Sequence, residues 1–176
     1  IHGYCDNDTA AAVFRAAREK KPDVPIWQTE VMFMPDGESD PTRRCARMVL
    51  HYLWSLGQGV ERYFWHGGEH EGYYRKPLPE FAALATLWTL ARGADRLQGP
   101  MAGADALPWL DTYRLSGADG RTLCVIAAPA GGAEVKIAAA AAGEALALDV
   151  FGGTLWKGDA AQAPAIPCSG LVYVLS

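Results

Sequence analysis

Residues 40–65, DPTRRCARMVLHYLWSLGQGVERYFW, decide the architecture. Asp40-Pro41 is a helix start, a capping side chain followed by a proline whose missing N–H costs nothing in the first turn. Cys45, Met48, Val49, Tyr52, Leu53 and Leu56 then recur at helical spacing, and Gly57 and Gly59 end the run. Val60 to Trp65 follows as a strand rich in aromatic and β-branched residues.

The same alternation extends to either side. Upstream, Val24 to Thr29 is short, apolar and bounded by proline, as a buried strand would be. Before it, Asn7 or Asp8 can cap a helix carrying Ala10, Val13, Phe14 and Ala17 on one face, with Lys20 and Lys21 at its C-terminal end and Pro22 as its stop. Ile1 to Cys5 reads as the end of a strand. Downstream, a Gly- and Tyr-rich loop from His66 to Pro77 leads to a helix from Pro79-Glu80, with Phe81, Leu84, Ala85 and Trp88 inward and Gly93 at its close. Strand–helix units of this length imply parallel strands with right-handed crossovers.

After Gly93 the period changes. Tyr113 to Leu115, Thr122 to Ile126, Leu146 to Val150 and Leu171 to Leu175 are β-type runs separated by Gly and Pro. Asp119-Gly120 marks a hairpin. Ala138 to Ala142 reads as strand and turn, because Gly143 and β-type runs flank it. The expected organisation is therefore α/β over 1–93 and an antiparallel β-sandwich over 94–176.

Arithmetic sharpens this. Three strand–helix units of roughly thirty residues fit the period of a (β/α)8 barrel of ~250 residues, but three cannot close one. Residues 1–93 are expected to be strands six to eight of a TIM barrel, and the chain a fragment of a larger protein.

Composition narrows the function. The 176 residues are 50% hydrophobic, and 16 Lys plus Arg against 20 Asp plus Glu give a net charge of -4. Neither a nucleic-acid backbone nor an anionic membrane is the partner expected of such a surface. Cys5, Cys45, Cys124 and Cys168 are far apart, form no CxxC pair and read as buried thiols.

Parallel barrels carry their chemistry where strands end. The junctions here are His2-Gly3-Tyr4, Thr29-Glu30 and Phe64-Trp65-His66. They combine a carboxylate, aromatic faces and imidazoles, which a site for sugars requires.

Pro25-Ile26-Trp27-Gln28-Thr29-Glu30 resembles the seventh strand of clan A retaining glycoside hydrolases, His2-Gly3-Tyr4 the sixth, and Gly59 to Trp65 the eighth. Lys76-Pro77, Pro79-Glu80 and Asp149-Val150-Phe151-Gly152 resemble the tail of the β-xylosidase and α-L-iduronidase type and its cellulase-like relatives. The resemblance implies Glu30 as nucleophile, Tyr4 orienting it, and Trp65 beneath the sugar with His2 and His66 beside it. It implies a carbohydrate substrate, no cofactor or metal, and a secreted or periplasmic location. The clan's acid/base is a Glu after Asn on the fourth strand. The one Asn here is Asn7, followed by Asp8, so the acid/base and the N-terminal barrel half are expected upstream and the isolated chain is expected to be inactive.

Other readings compete. A carboxylate such as Glu30 can simply solvate a strand end, and Tyr4, His2 and Trp65 can be packing. Trp27, Trp54 and Trp88 are expected to pack, and Glu38, Glu69 and Glu71 to be solvated. His66-Gly67-Gly68-Glu69-His70 fits the H-x-x-E-H zinc pattern, but the mechanism needs a helix there, and two glycines at about 1 kcal/mol each oppose it. The rival functions are a carbohydrate-binding sandwich and a sandwich that only packs on the barrel's flank.

Overall fold

A computed structural model of the chain describes residues 7–31, 39–65, 79–101, 111–128 and 132–176. Helix α1 (Asn7–Lys20), strand β1 (Ile26–Val31), helix α2 (Pro41–Gly57), strand β2 (Val60–Trp65) and helix α3 (Pro79–Leu90) come first. Ten strands are described in all. The remaining eight are β3 (Ala94–Met101), β4 (Asp111–Gly117), β5 (Thr122–Ala127), β6 (Ala133–Lys136), β7 (Glu144–Asp149), β8 (Thr154–Asp159), β9 (Ala165–Cys168) and β10 (Leu171–Leu175).

β1 and β2 pair in parallel across α2, the strand–helix–strand unit expected from residues 24–65. The start of α2 is capped as its sequence requires. Asp40 Oδ1 accepts the N–H of Thr42 at 2.8 Å, and Pro41 occupies the first turn. Asp40→Ala is expected to cost about 1 kcal/mol, read as a lowered denaturation midpoint at unchanged slope. A change within a few tenths would show that the cap contributes nothing.

The second half is an antiparallel six-stranded sheet in the order β3-β4-β5-β10-β7-β8, with β6 and β9 forming a separate antiparallel pair. Both faces of the large sheet are covered. On one, Tyr113, Leu115, Leu123, Val125, Leu148, Val150 and Tyr173 share a core with Cys45, Met48, Val49 and Leu53 of α2 and Ala83, Leu84 and Leu87 of α3. On the other, Cys124, Ile126, Val172 and Val174 meet Val135, Ile166 and Cys168 of the two-stranded pair. This mixed helix-and-sheet arrangement is compatible with α/β units followed by a sandwich. Its main core draws on residues from both sides of Gly93.

Several local expectations need correction. In α3 the inward face is Glu80, Ala83, Leu84 and Leu87, while Phe81, Ala85 and Trp88 face solvent, Phe81 and Trp88 about half exposed. The helix is apolar almost all round, so its pattern gave no direction for the turn of the face. In α1, Ala10 and Phe14 are buried but Val13 is exposed. β1 buries Ile26 and Gln28 and exposes Trp27, so it is covered on one face rather than two. The run Ile137–Ala139 is a turn of 3-10 helix rather than strand, because Ala140 and Ala141 both bond back to the Ile137 carbonyl. Strands β3, β6, β8 and β9 were not expected. β3 contains Pro100, tolerable because it is an edge strand, and Gly99, whose positive φ allows the bulge against β4. A Cβ on Gly99 would stand 2.7 Å from the Thr112 carbonyl oxygen.

Candidate functional site

Two of the residues singled out by sequence stand at the same end of the parallel pair. Glu30 is the penultimate residue of β1, Trp65 is the last of β2, and Val31 is the register partner of Trp65. Their backbones therefore lie on adjacent strands at one C-terminal edge, held by the intervening α2. Tyr4, His2 and His66 lie outside the described residues, as do Cys5, Glu38, Glu69, Glu71 and the whole His66–His70 pattern.

Behind this edge is a buried polar pair with no counterpart in the sequence reading. His51 of α2, 5% exposed, meets Tyr63 of β2, with Nδ1 to hydroxyl 2.9 Å. The Trp54 ring lies 5.7 Å from His51, and Tyr52 meets Tyr63 edge to face at 5.1 Å. Burial holds the His51 imidazole down to about 4, so it is neutral at ordinary pH and can accept from the Tyr63 hydroxyl. Burial, with Tyr52 second, pushes the Tyr63 hydroxyl up, so it keeps its proton. Gln28, the register partner of Tyr63, is fully buried, and neither atom of its amide has a hydrogen-bond partner. A histidine on the apolar face of α2, one residue from Tyr52, was the available signal, and alternation along β2 already separated Tyr63 from Phe64.

On the opposite face of the pair, Trp27 and Phe64 are each 48% exposed, with ring centroids 6.3 Å apart. Trp27 therefore meets Phe64 on the half-exposed face of the pair. Trp54 does pack as expected, against Phe14 of α1 at 6.1 Å. Trp88 is half exposed and touches Tyr52 edge-on.

The remaining motifs are structural where they are described. Asp149 Oδ1 accepts the N–H groups of Phe151 and Gly153 at 2.9 and 2.8 Å, and Gly152 takes a positive φ, so Asp149 to Gly152 closes the β7–β8 turn. Asp119-Gly120 forms the β4–β5 hairpin, where Asp119 accepts from Arg121 at 2.7 Å. Cys45, Cys124 and Cys168 are buried free thiols, and burial first, then the Glu80 charge, pushes Cys45 up to about 12. Such a thiol is not a nucleophile. Among the described residues no group of three or more His, Cys, Asp or Glu side chains is placed to hold a metal ion, and no helix is long and apolar enough to cross a membrane.

No family model matches the chain. No curated protein is similar to it either.

Proposed function

We propose that the chain is the C-terminal part of a retaining glycoside hydrolase, with residues 1–93 contributing strands six to eight of its (β/α)8 barrel. The observation that carries this reading is the placement of Glu30 and Trp65 at one C-terminal edge of a parallel strand–helix–strand unit, where such barrels keep their chemistry. In the complete enzyme Glu30 attacks the anomeric carbon and forms a glycosyl-enzyme, and the leaving oxygen takes a proton from an upstream Glu. That Glu then activates the water that releases the sugar. Tyr4 orients Glu30, Trp65 stacks under the ring, and His2 and His66 bond its hydroxyls. Residues 94–176 serve as a structural buttress. The core they share with α2 and α3 favours that role over a free-standing sugar-binding module.

The test uses the whole open reading frame that contains these residues. Incubation with aryl 2-deoxy-2-fluoroglycosides, which trap the glycosyl-enzyme of retaining hydrolases, should label the peptide carrying Glu30. Glu30→Gln should abolish both labelling and turnover. A label on another carboxylate, or turnover retained by Glu30→Gln, overturns the assignment. The 176-residue chain alone should turn over no aryl glycoside.

A further inference from the structure

We draw no further inference here: the strongest candidate, the uncharged outer face of α3 where Ala82, Ala85 and Thr89 lie exposed beside the half-exposed Trp88, carries none, because nothing in the structure shows what covers it and residues 66–78, which lead into the helix, lie outside the described residues.

Discussion

Tyr173→Ala is expected to lower stability by about 3–5 kcal/mol, the cost of emptying a fully buried aromatic site in a core that cannot collapse around it. Tyr173 is completely buried in β10, between β5 and β7, against the layer formed by α2 and α3. Its ring is therefore surrounded by rigid neighbours on both adjacent strands. Its hydroxyl is different, because that oxygen is buried without a hydrogen-bond partner. Tyr173→Phe removes an unsatisfied polar atom and keeps the ring, so it should stabilise the fold by about 1 kcal/mol. Urea or thermal denaturation of both variants decides the matter. A loss of more than about 1 kcal/mol in Tyr173→Phe would show that the hydroxyl makes a bond in solution.

The second large effect is expected at the ion pair between Arg44 of α2 and Glu80 of α3. The two residues lie at the starts of their helices, and the pair ties those starts together. The Glu80 side chain is 9% exposed, and its Oε2 has no hydrogen-bond partner. Arg44→Met strands that carboxylate away from water, at a cost of about 2–3 kcal/mol. This lies below the ~3–5 typical of a fully buried pair because Arg44 keeps 29% of its side chain exposed. The double variant Arg44→Met, Glu80→Gln removes both charges and should recover most of the loss. Denaturation midpoints of the single and double variants give the coupling. If the double variant is no more stable than Arg44→Met, the penalty is not that of a stranded charge.

What the sequence allowed, and what it did not, follows from how each element declares itself. α2 carried a cap, a proline and an apolar stripe that agreed, and Cys45, Met48, Val49 and Leu53 are all buried as its period required. The Asp119-Gly120 hairpin needed two residues with a fixed preference. α3 failed because residues 81–90 are apolar or small on every side, so periodicity held no information about orientation. β6 and β9 are four residues each, and β9 holds a proline. Below five residues, alternation is indistinguishable from chance. Sheet order was beyond reach altogether, since nothing local in Leu171–Leu175 states that it lies between β5 and β7.

The site divides the same way. Glu30 and Trp65 were placed at strand ends by local pattern, and the parallel register puts those ends together. The His51–Tyr63 pair joins a helix to a strand twelve residues on, and was missed because each member alone looks like an ordinary core residue.

The position of β10 has a consequence for how the protein is made. Among the described strands it follows every other member of the six-stranded sheet in the chain, and it holds the middle of that sheet. While the ribosome is still adding residues 171–175, β3–β4–β5 on one side and β7–β8 on the other have no strand between them. Each must wait with an open edge. A growing chain is most exposed to misassembly with its neighbours in the interval just before those five residues are free to insert.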